Sequence, residues 1–167
     1  LVFFDNVYAI GGDNVKHITE NSPISPTSKK GEVRAEVNKL ILNSVEKGKL
    51  NAIIARSADF FSAVKEKSLL MNTVYDNLVK GKKAQWFCNA KVVHSTSYTP
   101  DLGKGTAILG NANEAYNQIW NLPTDPQQIT GEEWIDLFAN EMQKNNKYQV
   151  LPGWGMKALG LFIPILN

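Results

Sequence analysis

The chain opens on a short, unbroken apolar run, Leu1-Val2-Phe3-Phe4, rather than on an alternating one. Continuous runs of this length suit strands covered on both faces, as in parallel sheets flanked by helices. Asp5-Asn6 ends the run, and both Gly11-Gly12-Asp13-Asn14 and the proline-bearing stretch from Thr19 to Ser28 read as loop. From Gly31 the period becomes helical. Val33, Val37, Leu40, Ile41 and Val45 share one face, and Lys47-Gly48 supplies a cationic last turn and a glycine stop. Asn51-Ala52-Ile53-Ile54-Ala55 is a second short apolar strand, ending at Arg56. Strand, helix, strand with short links is a βαβ crossover.

The second half has a different texture. Leu69 to Lys80 reads as a helix with an Asp76/Lys80 pair and Gly81 as its stop, and Ala84 to Phe87 as a short strand. Thr99-Pro100 predicts an N-cap followed by proline at the first helical position, opening a helix that runs to about Leu109-Gly110. Asn117 to Leu122 reads as a strand. Thr130-Gly131-Glu132-Glu133 is a capping box, and Trp134, Ile135, Leu137, Phe138 and Met142 supply the apolar face behind it. Tyr148 to Leu151 is a short strand, and Gly155 to Leu166 an apolar helix. The first part is therefore α/β with parallel strands, and the second a mixed, mostly helical subdomain.

Composition narrows the function classes. The 167 residues are 43% hydrophobic and 20% charged, enough to build a core and too apolar for a disordered chain. With 18 Lys+Arg against 16 Asp+Glu there is no basic excess, which argues against nucleic acid as a partner. Cys88 stands alone, excluding an internal disulfide and a cysteine-based zinc site. No apolar run approaches the roughly 18 residues of a transmembrane helix, and no targeting signal is visible, so the expectation is a cytoplasmic protein without a membrane partner.

Several chemical motifs fail on context. Gly103-Lys104-Gly105 and Gly153-Trp154-Gly155 lack the third glycine and the preceding strand of a phosphate loop. There is no Walker loop, H-E-x-x-H or G-x-S-x-G, and neither His17 nor His94 has a second ligand at metal spacing, so no metal is expected. Glu132, Glu133 and Asp136 lie in the first turns of a helix, where the dipole stabilises them. Asp5-Asn6-Val7-Tyr8 is better placed, because open α/β sheets bind ligands at the carboxyl ends of their strands. Pro26-Thr27-Ser28-Lys29-Lys30-Gly31 opens the next helix with hydroxyls and two ammonium groups, at a terminus that favours anions. Arg56-Ser57-Ala58-Asp59-Phe60-Phe61 repeats the logic after the second strand. Three such segments would converge on one cleft.

In this order these segments resemble the extended and atypical short-chain dehydrogenase/reductases, the NAD-dependent epimerase/dehydratase family. Asp5 to Gly11 is similar to that family's strand-five segment ending in V-Y-G, and Pro23 to Glu32 to its P-x-x-P-Y-x-x-x-K stretch. Ala55 to Phe61 resembles R-P-x-D/N-F-Y-G-P. His94-Ser95-x-x-Tyr98-x-x-Asp101-Leu102-Gly103, Trp120 to Pro123 and Thr130 to Glu133 extend the likeness over nearly the whole chain. The departures are specific. The family's tyrosine falls on Thr27, its lysine on Gly31, and its serine or threonine on Phe4. A tyrosine whose pKa is lowered by a neighbouring ammonium exchanges protons near neutrality; threonine does not.

The resemblance implies part of a doubly wound parallel Rossmann-type sheet with a small mixed α/β substrate subdomain. Residues 1–66 would hold the last strands and active-site helix, and residues 67–167 the interleaved subdomain. It further implies NAD or NADP as cofactor and a small polar or sugar-nucleotide-like substrate. In place of the missing catalytic set, Asp5, Tyr8 and Lys30 are the candidate proton carriers. Lys30, Arg56, Ala58, Asp59 and Phe60 are the candidates for cofactor contact, and Asp59, His94 and Tyr98 for substrate contact. The helix from Glu32 to Lys47 could build a homodimer through a second face of Ala35, Asn38 and Leu42. No G-x-x-G-x-x-G occurs in the 167 residues, so the expectation is the carboxy-proximal part of a longer polypeptide. The rival reading is a non-catalytic dinucleotide-binding sensor or regulatory protein.

Overall fold

The computed structural model describes residues 1–64 and 68–153. The apolar helix expected over Gly155 to Leu166 lies outside the described residues. The chain divides into two compact units, residues 1–58 with 97–124, and residues 59–96 with 125–167.

The first unit is built on the βαβ crossover. Strands β1 (Val2–Asn6) and β2 (Ile53–Ser57) pair in parallel around helix α1 (Lys29–Glu46), and β6 (Gln118–Asn121) adds to the far side of β2. β3 (Asp59–Phe61), β4 (Ala84–Phe87) and β5 (Thr96–Tyr98) lie between β2 and β6 in chain order. The order β1-β2-β6 makes β2 central, and all five of its residues are buried. The first strand departs from expectation. Phe4 is 39% exposed, because β1 is an outer strand of this three-stranded sheet and lacks cover on both faces.

Helix α1 starts where Ser28 accepts the Gly31 amide, and Gly48, at φ +66°, takes the left-handed conformation that ends it. Its buried line is not the one the apolar pattern suggests. Ile41 packs with Ala52 and Ile54, and Val37 and Val45 flank them, but Val33 and Leu40 are 48% and 67% exposed. Asn38 takes the inward position instead, so it does not belong to an outer face with Ala35 and Leu42. Helix α3 (Thr99–Asn111) covers another part of the sheet, its Gly110 facing Val2. Its N-cap is Tyr98 rather than Thr99, with no side-chain cap, and Pro100 lies in the first turn.

In the second unit β4 pairs in parallel with β7 (Tyr148–Leu151). The helix expected from Leu69 to Lys80 is interrupted: a wide π turn over Met71–Tyr75 precedes a short α2 (Asp76–Val79). The Thr73 hydroxyl donates to the Leu69 carbonyl and so competes with the backbone ladder at that point. Helix α4 (Gly131–Glu141) starts at the capping box, with Thr130 and Glu133 bonding reciprocally. Trp134, Ile135 and Ala139 turn inward onto Leu70, Val74, Leu78 and Trp86, whereas Leu137, expected on that face, points outward. No helix among the described residues is long and apolar enough to cross a membrane.

Candidate functional site

The strand ends of the first unit carry a buried polar row. Parallel register sets Asp5 beside Arg56 and Arg56 beside Asn121, so the three side chains leave one face of the sheet together. Asp5 and Arg56 are 2% and 1% exposed. Asn38 of α1 bridges them: its Nδ2 donates to Asp5 Oδ2 at 2.6 Å, and its Oδ1 accepts from Arg56 Nη2 at 3.3 Å. Arg34 Nη1 stands 3.5 Å from Asp5 Oδ1. Glu20 closes the row from the loop, accepting the Asn121 amide at 2.9 Å. Burial pulls the Arg56 pKa below its ordinary value, and the negative charges of Asp5 and Glu20 oppose that pull. Nε and Nη1 of Arg56 find no acceptor among the described residues.

Beyond this row the segment after β1 meets the loop that leads into α1, whereas the third polar segment, Arg56 to Phe61, is divided between the two units after Ala58. Asn6 caps a short 3-10 turn over Val7–Ala9 by accepting the Tyr8 amide at 3.0 Å. The start of α1 is pressed against that turn. A Cβ placed on Gly31 would stand 2.3 Å from the Tyr8 carbonyl oxygen, so no side chain fits there unless the turn moves. Gly11 is equally tight against the Ser25 carbonyl. Tyr8 and Lys30 are exposed on either side of the Gly31 contact. At the end of β2, Ala58 donates its amide to Ser97 Oγ at 3.3 Å, and the half-exposed Tyr98 follows. Asp5, Tyr8, Lys30, Arg56, Ala58 and Tyr98 therefore all belong to the first unit.

Asp59, Phe60 and His94 belong to the second unit, where they line one pocket. His94 Nε2 lies 2.9 Å from Asp59 Oδ2. The imidazole also meets the Trp86 ring edge-on, with centroids 5.7 Å apart and planes at 86°. Its backbone is fixed as well, the His94 amide donating to the Ile129 carbonyl at 3.0 Å. Trp86 lies directly on Gly131, where a Cβ would stand 2.3 Å from the indole. Leu69, Leu70 and Phe87 complete the apolar wall. Asp59 and His94 were both visible in the sequence, but their pairing was not. Asn38 and Trp86 were missed as site residues because each sits in an element whose apolar pattern drew attention to its neighbours.

No family model matches the chain, and none of the curated proteins does. Solved structures do. UDP-glucuronic acid 4-epimerase from Bacillus cereus in complex with NAD superposes at a TM-score of 0.81 with 14% identity, over 90% of this chain and 49% of that one. UDP-glucose 4-epimerase from Thermotoga maritima with UDP-glucose gives 0.78 and 16%, over 90% and 50%. dTDP-glucose 4,6-dehydratase from Bacillus anthracis in complex with NAD gives 0.75 and 15%, over 90% and 49%. The chain spans about half the length of these structures. It has the mixed α/β, Rossmann-like architecture of part of the NAD-dependent epimerases and dehydratases.

Proposed function

We propose that the chain is part of an NAD(P)-linked protein of the epimerase/dehydratase or reductase kind, acting on a small polar or sugar-nucleotide-like molecule. The support is a fold whose solved neighbours are sugar-nucleotide epimerases and dehydratases, two of those described bound to NAD. Fold alone assigns no chemistry, so the reading rests on the strand-end arrangement. Tyr8 and Lys30 flank the start of α1, where a phenol and an ammonium can meet a ligand hydroxyl and an anionic group. Asp5 and Arg56 act beneath them as a buried charge pair that holds the strand ends, rather than as ligand-facing groups.

The dinucleotide fits these residues only at its nicotinamide end. No glycine-rich phosphate loop occurs in the 167 residues, whereas Lys30 and Ala58 stand at strand and helix ends suited to that end of the cofactor. Bound NAD(P) would supply the hydride acceptor or donor. The first unit's own part is to move a proton at the Tyr8 hydroxyl, its charge steadied by Lys30, with Tyr98 as its candidate for substrate contact; in the second unit the candidates for ligand contact are Asp59, Phe60 and His94.

A second reading, binding without turnover, is favoured by the Gly31 contact. The position that matches the family's lysine is filled by the Tyr8 carbonyl, and Thr27 offers no acidic phenol. Calorimetric titration of the full-length protein with NAD+ and NADP+, beside nicotinamide absorbance against a panel of hydroxyl and carbonyl compounds, separates the two. Turnover that falls at least tenfold in both Tyr8→Phe and Lys30→Met supports the first reading. Dinucleotide binding without turnover supports the second, and no dinucleotide binding rejects both.

A further inference from the structure

We propose that the open edge of β7 in the second unit takes an acidic, extended polypeptide segment as an added strand. Among the described strands β7 pairs with β4 alone. Lys147 and Leu151 turn their carbonyls to that neighbour, accepting the Ala84 and Cys88 amides at 3.0 and 2.9 Å. Backbone groups alternate sides along a strand, so the N–H and C=O of Tyr148 and Val150 point away from β4. Neither residue makes a backbone bond on that side to another described residue. Val150 is 39% exposed, and Gln149 beside it is exposed as well. Another polypeptide can match such a row of donors and acceptors bond for bond, which a lipid headgroup or a nucleic-acid backbone cannot do.

Charge selects the segment. Lys82 and Lys83 lead into β4, Lys144 and Lys147 lead into β7, and Lys80 stands before the Gly81 turn, all of them exposed. The Ala84–Tyr148 register sets Lys83 and Lys147 side by side at the head of the sheet. None of these lysines makes an ion pair with a described acid. Glu132 and Asp136 of α4 are engaged instead by the Tyr148 hydroxyl and the Asn146 side-chain amide. The ends of α2 and α4 account for Lys80 and Lys144, since a helix C-terminus favours a cation. Lys83 and Lys147 have no such account, and like charges at adjacent register positions repel. Lysines beside an open edge also repel an identical edge. A second copy of this strand is therefore disfavoured, and a strand carrying carboxylates is welcomed.

Fluorescence anisotropy on the full-length protein tests this with a labelled peptide of alternating Glu and Val. The comparison probes are its copy N-methylated at alternate amides, a Lys/Val peptide, oligo-dT and phosphatidylserine vesicles. The Glu/Val peptide should bind about tenfold or more tightly than its N-methylated copy, which keeps the charges but cannot complete a ladder, and than the Lys/Val peptide. Lys83→Glu with Lys147→Glu should weaken it by about tenfold, and added salt should weaken it likewise. Lys47→Glu with Lys49→Glu, an equal charge change in the first unit, should leave it unchanged. Equal binding of the N-methylated copy would reduce the surface to charge attraction and overturn the strand addition. So would tighter binding of oligo-dT or vesicles through the same lysines, peptide binding indifferent to Lys83 and Lys147, or no binding of the Glu/Val peptide.

Discussion

A single carboxamide in the middle of α1 allows a carboxylate and a guanidinium to share the buried face of the first unit's sheet. Asp5 and Arg56 are register partners, and Asn38 offers a donor to one and an acceptor to the other. An apolar residue at this position would leave both charges buried with fewer partners, and such losses are costly. Asn38→Leu should therefore destabilise the protein by about 2–4 kcal/mol in urea unfolding, despite increasing the apolar area of the helix face. A neutral result would mean that water solvates the pair and that Asn38 is incidental. The charged ends of this network were legible as polar residues stopping two apolar runs. The bridge was not, because nothing local distinguishes Asn38 from a solvent-facing asparagine. The Asp59–His94 pair was hidden for the same reason: each residue lies in a plausible turn, and only tertiary structure brings them within 2.9 Å.

Elements were legible where their signals are local. The βαβ crossover, the Gly48 stop and the Thr130–Glu133 capping box are each specified within a few residues, and each is present. The wide turn over Met71–Tyr75 depends on side-chain bonds to the backbone, and the β4–β7 pairing joins distant segments, so neither shows in the periodicity. The capping box carries a pH dependence. Hydrogen bonds from the Thr130 backbone and side chain hold the Glu133 carboxyl below its ordinary range. A carboxylate with a depressed folded pKa stabilises the helix above its unfolded pKa and loses that contribution as pH falls through the folded value. Far-UV circular dichroism on acidification should thus show Glu133→Gln and the parent protein converging at low pH and separated near neutrality. Separation that persists at low pH would assign the effect to something other than ionisation. At the other helix start, Gly31→Ala should cost roughly 1–3 kcal/mol in thermal unfolding, as overpacking does, because its Cβ meets the Tyr8 carbonyl. An unchanged melting temperature would show that the Val7–Ala9 turn yields freely, and with it the obstruction to a side chain at position 31.

At the scale of the whole molecule the chain passes between its two units more than once, so neither is a continuous segment. The sheet of the first unit takes β1 and β2 from the first 58 residues and β6 from beyond residue 96. The core of the second takes Leu70, Val74, Leu78 and Trp86 from one segment, and Trp134, Ile135 and Ala139 from another. This interleaving sets what truncation does. A chain ending at Thr124 keeps every strand of the β1-β2-β6 sheet but loses α4 and β7. Those elements supply the partner of β4, the helix that covers Trp86 and three fully or nearly buried side chains. Large-to-small changes at single core positions cost about 2–5 kcal/mol, so removal of a whole helix and strand exceeds the stability of a unit this size. In the truncated chain, amide exchange should reach the unfolded rate throughout β4 while the amides of central β2 remain protected. If β2 loses protection together with β4, the two units fold as one cooperative body. If β4 stays protected, the first segment of the second unit has a core of its own that the packing of Trp134 and Ile135 does not provide.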